Sequence, residues 1–220
     1  MTTTERLLLA VEEIWDEYNR HPFVMGIQNG TLDREKFRYY IIQDYLYLED
    51  YAKVFAIGMA KANCPETMRL FSGYINVLTD DEMDIHRGYL GRLGVTQQEL
   101  ADTPRALDNL SYTSYMLRVA YEEGEAEILA AVLSCAYSYQ VIAERITEDK
   151  PNSLEHPFYG DWIKGYAAEE YAEKNRTLLD TLNRLTVDYS EKQLQHLEDI
   201  FVACSRYELA FWDLAWNRSK

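Results

Sequence analysis

The sequence predicts an all-α fold, a single helical domain of about seven to eight helices, and three observations lead to this prediction. Apolar residues recur at spacings of three and four through nearly the whole chain, as on the buried face of a helix. No segment shows the alternation of apolar and polar residues that is typical of a strand. The 220 residues match the size of one large domain, and no linker or low-complexity segment divides residues 1–220.

Breaker segments place the first four helices. The first is predicted near residues 4–20 and ends before HPFVMGIQNGTLD, which is rich in glycine and turn-forming residues. The second follows near 32–62 and ends at NCPET. The third, near 66–91, ends at GRLGVTQQELADTP, after which the fourth is expected near 105–122. Each interruption contains glycine or proline, so we expect turns there.

The last three helices are predicted in the same way. EEGE introduces a helix near 125–148, and TEDKPNSLEHPFYG precedes one near 158–184. LTVDYS separates that helix from the last, near 190–217. Sites in helical bundles are usually built from polar side chains that point inward from facing helices, so polar residues on apolar stripes are the candidates to search for.

The charge balance narrows the possible ligands. With 22 basic and 37 acidic side chains, the formal net charge is −15. Such a field repels phosphate backbones, and no basic stripe counters it, so we expect no nucleic-acid partner. Cationic or neutral small molecules are favoured.

Membrane insertion and disulfides are not expected either. No run of about 18 consecutive apolar residues is present, and the N-terminus lacks the basic leader and cleavage site of a secretion signal. Three scattered cysteines are too few for a disulfide framework or a zinc site. A cytoplasmic location is therefore predicted.

Cys135 lies at the centre of an apolar stripe on the fifth predicted helix. The members of that stripe, spaced by four and three, are Ile128, Val132, Cys135, Tyr139, Ile142 and Ile146. A free cysteine there is either packing material or a nucleophile, because free cysteine is among the most buried residue types. Cys204 also lies on an inward stripe, so spacing leaves open which thiol reacts.

Two carboxylates interrupt apolar stripes on other helices. Asp44 lies between Ile41 and Leu48 on the second helix, and Glu208 follows Cys204 by four residues on the last. Burying an ionised acid without a partner costs several kcal/mol, so each acid is either paired structurally or functional. Two acids and a thiol on three inward faces indicate a site.

Tyrosine is unusually abundant, with 18 Tyr against 7 Phe. Each buried tyrosine hydroxyl needs a hydrogen-bond partner, which a core of apolar volume alone does not supply. Tyr112 and Tyr166 lie on apolar stripes, the latter together with Trp162 and Glu170, and Tyr47 is close to Asp44. These rings are either core residues or walls for a planar ligand.

A metal site is not expected. Of the four histidines, His21 and His156 precede prolines and are expected at turns, and His196 is expected to be solvated. His86 follows Glu82 by four residues, a spacing that allows a shared ligand. Di-iron bundles usually require paired Glu-x-x-His motifs, which are missing from the sequence. No cofactor is predicted.

Several segments resemble the TenA/thiaminase II family, and together they span almost the whole chain. The stretch HPFVMGIQNGTLDREKFRYYIIQDYLYLEDYAKVFA (21–56) resembles its N-terminal signature. SCAYSYQVIAE resembles its nucleophile helix, with Cys135 and Tyr139 in a Cys-x-x-x-Tyr pattern. HPFYGDWIKGY (156–166) and SRYELAFWDLAW (205–216) are similar to two further family motifs.

The resemblance implies a fold shared with haem oxygenase, homotetramers, and cofactor-free hydrolysis of 4-amino-2-methylpyrimidines or thiamin in thiamin salvage. By resemblance, Cys135 is the nucleophile, Glu208 the acid on a ring nitrogen, and Asp44 the partner of the amino edge. Tyrosines are implied to bind the substrate, namely Tyr47, Tyr112, Tyr139 and Tyr166. The alternatives are a non-catalytic pyrimidine-binding or regulatory protein and a di-iron oxidase on the same fold.

Overall fold

The computed structural model describes residues 1–76, 78–79 and 83–217, and within these residues it contains helices and no strand. The all-α fold class is confirmed. The helices are α1 (Thr3–Arg20), α2 (Pro22–Asn29), α3 (Arg34–Lys61), α4 (Pro65–Asn76), α5 (Met83–Arg92), α6 (Gln97–Asp102), α7 (Leu107–Glu122), α8 (Glu125–Asp149), α9 (Gly160–Tyr166), α10 (Glu169–Leu185) and α11 (Glu191–Asn217). A short 3-10 turn, Pro151–Glu155, precedes α9.

Five long helices, α1, α3, α7, α8 and α11, lie where the periodicity predicts them, to within about two residues at each end. Local capping explains two of the starts. The Thr2 side chain accepts a hydrogen bond from the Glu5 backbone, and the Glu5 carboxylate accepts one from the Thr2 backbone. Asp33 caps α3 through the backbone N–H of Glu35.

The segment predicted as a turn at residues 21–33 contains helix α2, so that prediction is wrong. Pro22 occupies the first turn, where its missing N–H costs nothing, and His21 accepts a hydrogen bond from the Phe23 N–H. Gly30, at φ +69°, then ends the helix. An added Cβ there would lie 2.4 Å from the His156 ring, so this turn also requires glycine for space.

The helix predicted over residues 158–184 is two helices, α9 and α10, separated at Ala167 and Ala168. Alanine carries no breaker signal, so the sequence pattern did not reveal the break. Glu170 therefore leaves the stripe of Tyr166, and its side chain is 77% exposed. The helix predicted near 66–91 corresponds to α4 and α5, and residues 77 and 80–82 between them lie outside the described part. The predicted turn at 91–104 contains the short helix α6.

Helix α8 runs through the middle of the bundle, packed against α3, α7, α10 and α11. Among the described residues it is the one helix with the length and apolar composition to cross a membrane, and 78% of the apolar window is buried within the protein. Its hydrophobicity is thus largely accounted for by its central position. The residues around its midpoint face the neighbouring helices on all sides, which positions Cys135 at a junction of elements.

Candidate active site

A small enclosed cavity lies beside the midpoint of α8, between that helix and α3, α9 and α10. Its wall is largely aromatic and contains one acid, one thiol and one amine. The lining residues are Asp44, Tyr47, Leu48, Tyr51, Tyr74, Leu78, Cys135, Ala136, Tyr139, Tyr166, Tyr171 and Lys174. The cavity volume is about 20 Å³, close to the space that one ordered water needs.

The two inward cysteines have different surroundings. Cys135 is half-buried and lines the cavity, whereas Cys204 is fully buried in the core. Burial raises the pKa of the Cys204 thiol far above its ordinary value, with a hydrogen bond from Ser134 as a smaller opposing effect. Because a thiolate is the reactive form, the structure favours Cys135 over Cys204 as the accessible thiol.

Glu208 is buried at 2% exposure on α11, directly behind the cavity wall. Burial and the nearby charge of Asp44 raise the pKa of its carboxyl to about 8. Hydrogen bonds with Tyr139, Tyr112 and Cys135 lower that pKa, but by less. The carboxyl is therefore mostly protonated near neutral pH and is a possible proton donor.

Asp44 has a different partner. Its Oδ2 lies 2.7 Å from Nε2 of His86 on α5, and both side chains are buried. The Asp44 carboxylate also interacts with the hydroxyl of Tyr40. A buried carboxylate is thus held by an imidazole at one oxygen while the residue lines the cavity.

Tyrosine and tryptophan rings surround these acids. The Tyr40 hydroxyl donates to the Tyr139 hydroxyl at 3.4 Å and accepts from Trp162 Nε1 at 3.2 Å. Burial raises the pKa of Tyr139 well above 10, so it remains a neutral donor. The ring of Tyr166 packs on that of Tyr139, with centroids 4.8 Å apart. Flat rings and neutral hydroxyls suit a planar heterocycle.

Helix α10 is tied to α8 next to the thiol. The Tyr171 hydroxyl and Asn175 Nδ2 both donate to the carbonyl of Ala136, at 2.9 Å and 3.1 Å. One turn from Tyr171, Lys174 contributes the basic group of the wall and pairs with Glu170 at 2.8 Å. This arrangement places a cation at the outer side of the cavity, since Glu170 is largely exposed.

The structure brings the predicted site residues together. Five of the seven line the cavity, namely Asp44, Tyr47, Cys135, Tyr139 and Tyr166. Tyr112 and Glu208 lie behind this wall and are joined by a hydrogen bond. Burial, and to a smaller extent the charge of Glu208, raises the pKa of Tyr112 well above its ordinary value. The Tyr112 ring lies 5.2 Å from that of Tyr47, which lines the cavity.

The sequence reasoning missed His86, Tyr171 and Lys174. His86 was considered as a metal ligand with Glu82, which lies outside the described residues. A signal was available, because His86, Tyr89 and Leu90 are spaced as one face of a helix, and all three are buried. Tyr171 and Lys174 were missed because the break between α9 and α10 rotates α10 relative to the predicted stripe.

No cluster of three or more possible metal ligands occurs within residues 1–76, 78–79 and 83–217. The features present are a thiol, a raised-pKa carboxyl and a fixed carboxylate around one aromatic cavity. They define an all-α protein with an enclosed, aromatic-walled site that combines a thiol with two acids.

The chain belongs to the TENA/THI-4/PQQC family, whose model matches residues 9–218. It is 45% identical to an aminopyrimidine aminohydrolase of Helicobacter pylori over 217 residues, covering 99% of this chain and 100% of that protein. It is 42% identical to an aminopyrimidine aminohydrolase of Halalkalibacterium halodurans, covering 99% and 96%. A solved structure described as a TenA family transcription regulator, from Silicibacter sp. TM1040, superposes with a TM-score of 0.90 at 27% identity, covering 98% and 97%. The predicted family resemblance is confirmed.

Proposed function

We propose that this protein hydrolyses 4-amino-2-methylpyrimidines that carry a leaving group on the 5-methylene, with Cys135 as nucleophile. The products would be the 5-hydroxymethyl pyrimidine and an amine, or a thiazole when thiamin is the substrate. The main support is the arrangement of Cys135, Glu208 and Asp44 around one aromatic-walled cavity. The names of the two similar aminohydrolases support the same reaction class.

The first step is addition of the thiolate to the unsubstituted carbon of the pyrimidine ring. Glu208 donates its proton to the adjacent ring nitrogen, which withdraws electrons and makes that carbon electrophilic. The new S–C bond takes its electron pair from sulfur, and the ring loses its aromaticity. Glu208 and the Cys135 thiol are hydrogen-bonded to each other, so the thiol proton has a nearby acceptor once the carboxyl has given up its own.

Elimination and hydration follow. Electrons from the protonated ring nitrogen move through the ring and expel the amine or thiazole, leaving an exocyclic alkene. Water adds to that alkene through its oxygen and forms the hydroxymethyl group. The proton that the water loses passes to the departed amine, or to solvent when the thiazole has left. The S–C bond then breaks, sulfur leaves with its electron pair, and the ring nitrogen loses its proton as aromaticity returns. Thiol, carboxyl and water thus account for every bond without a redox step.

Asp44 orients the ring in this proposal. Its carboxylate accepts hydrogen bonds from the exocyclic amino group, while Tyr47, Tyr139 and Tyr166 contact the ring faces and Tyr112 supports the carboxyl behind them. Orientation matters because a misplacement of about 1 Å can reduce the rate by about 100-fold. The acidic surroundings also suit a substrate that carries an ammonium or thiazolium charge.

Substrate entry requires the walls to separate. A cavity of about 20 Å³ is far below the roughly 300 Å³ or more that small-molecule sites usually offer. Tyr171 and Lys174 on α10 are partly exposed, as is Cys135 on α8, so we propose that the rim formed by Tyr171 and Lys174 moves outward when the pyrimidine binds. The homotetramer and the cytoplasmic location remain predictions.

The decisive experiment is a product assay with thiamin and with 4-amino-5-aminomethyl-2-methylpyrimidine under identical conditions. We expect the hydroxymethyl pyrimidine from at least one of them, and the ratio of the two rates gives the preferred leaving group. If the folded protein forms no product from either substrate, the proposed hydrolase activity is refuted.

The second candidate is a pyrimidine-binding or regulatory protein, favoured by the description of the Silicibacter structure as a transcription regulator. The net charge of −15 argues against direct contact with DNA. Tight pyrimidine binding without turnover would favour this candidate, and retention on DNA at about 150 mM salt would contradict the charge argument.

A further inference from the structure

His86 is a buried titratable residue next to the site that the proposed mechanism does not use. It is 1% exposed on α5 and does not line the cavity, yet its Nε2 lies 2.7 Å from Oδ2 of Asp44. The contact joins two helices that the chain separates by 42 residues. A short bond between two buried side chains fixes both rotamers.

We propose that His86 is a positioning residue, which binds one oxygen of Asp44 and so presents the other to the exocyclic amino group of the pyrimidine. This inference rests on the proposed function and adds to it a residue that acts through Asp44 without touching the substrate.

The physical reason is the rotational freedom of a carboxylate. Asp44 has two chemically equivalent oxygens and a soft second torsion, so an unbraced carboxylate could turn either edge toward the ring. The imidazole N–H occupies Oδ2. A buried carboxylate is also costly unless it is hydrogen-bonded, and Nε2 of His86 lies within hydrogen-bond distance of it. Both effects hold the Asp44 carboxylate, before the substrate binds, in the orientation that the amino group requires.

The test uses two variants of similar length and shape. In His86→Gln the side-chain amide can still donate to Asp44, whereas His86→Met has no donor. The measurement is the calorimetric Kd for 4-amino-5-hydroxymethyl-2-methylpyrimidine, together with kcat and KM for the aminomethyl substrate. Since hydrogen bonds to charged groups contribute roughly 1.5–3 kcal/mol, we expect His86→Met to bind about 10- to 100-fold more weakly. His86→Gln should stay within about threefold of the wild type.

Two controls separate positioning from general structural damage. The first is the same pyrimidine without its 4-amino group, whose affinity His86→Met should leave unchanged. The second is Tyr89→Phe on the same helix, which loses the hydrogen bonds to Phe158 and Trp162 and does not contact Asp44. It should lower the melting temperature and leave the Kd within about threefold.

A double-variant cycle supplies the sharpest readout. If His86 acts through Asp44, His86→Met should weaken binding little further once Asp44→Asn is present. Additive losses, or equal losses for the ligand without the amino group, would overturn the inference. Should His86→Met fail to fold, His86→Asn replaces it, since its shorter amide falls short of Asp44.

The inference and the proposed function fail in different ways. A wild type that binds the pyrimidine without turnover refutes the hydrolase, and the binding data still decide the role of His86. A wild type that does not bind the pyrimidine at all refutes both.

Discussion

The two buried acids of the site, Asp44 on α3 and Glu208 on α11, have similar burial and different partners. Asp44 is bonded to the imidazole of His86, at 2.7 Å. Glu208 is hydrogen-bonded by the hydroxyls of Tyr139 and Tyr112 and by the Cys135 thiol, and burial together with the charge of Asp44 raises its pKa to about 8. The comparison shows that the partner decides the role of a buried acid more than burial does. One acid is suited to accept hydrogen bonds and the other to donate a proton.

The largest expected effect comes from removing the thiol that Glu208 contacts. Cys135→Ala should reduce kcat by at least about 10³-fold, because it removes the thiol that lines the cavity and with it the proposed covalent intermediate. Cys204→Ala is the matched control. It should keep turnover near the wild-type value and lower stability by about 1–2 kcal/mol. Comparable rates for Cys135→Ala and the wild type would refute the proposal that Cys135 is the nucleophile.

The next effect compares the acids directly. Glu208→Gln removes the proton donor and should lower kcat by about 10²- to 10⁴-fold with a small change in KM. Asp44→Asn removes the orienting carboxylate and should raise KM by at least about tenfold. Steady-state kinetics of both variants on one substrate tests the division of roles. Equal kcat losses without a KM difference would show that the acids act alike.

The pH profile gives a smaller, continuous effect. Because the proposed reaction requires protonated Glu208, kcat/KM should fall about tenfold per pH unit above about 8, the pKa of this carboxyl. The alkaline limb should disappear in Glu208→Gln, which has no proton to lose. If the alkaline limb persists in Glu208→Gln, a titratable group other than Glu208 causes it.

Folding stability reports on the same carboxyl and is expected to change least. The pKa of Glu208 is higher in the folded state than the ordinary value of 4.5. When the pH is raised, Glu208 therefore loses its proton in the unfolded chain before it does so in the folded protein. The stability contributed by the protonated form is full below about pH 4.5 and is lost as the pH rises through about 8. Glu208→Gln should therefore gain up to a few kcal/mol relative to the wild type between pH 5 and 8.5. Urea unfolding at several pH values measures this gain, and a constant difference would contradict the raised pKa.

Much of the fold could be predicted from spacing because long helices bury one continuous stripe. The helices that the sequence did not predict correctly are short, or end without a breaker residue. Helix α2 was hidden by proline and glycine, which here form its start and end. The break after Tyr166 was hidden by two alanines, because alanine is the strongest helix former and gives no sign of a helix end.

Much of the site could be predicted as well, because a polar side chain on an apolar stripe is conspicuous. Asp44, Cys135 and Glu208 were found in this way. His86 also lies on an inward face, but a histidine there has several ordinary explanations. Its significance appears only when α5 packs on α3 and places the imidazole against Asp44.

The sequence by itself determined that the chain is helical, which face of each long helix points inward, and which polar residues interrupt those faces. The tertiary structure alone decided that Cys135 rather than Cys204 lines the cavity, that Asp44 pairs with His86, and that hydroxyls and a thiol form hydrogen bonds with Glu208. The reason is that periodicity specifies a direction around one helix axis. Which side chains of other helices contact a residue on that face depends on how the helices pack against one another.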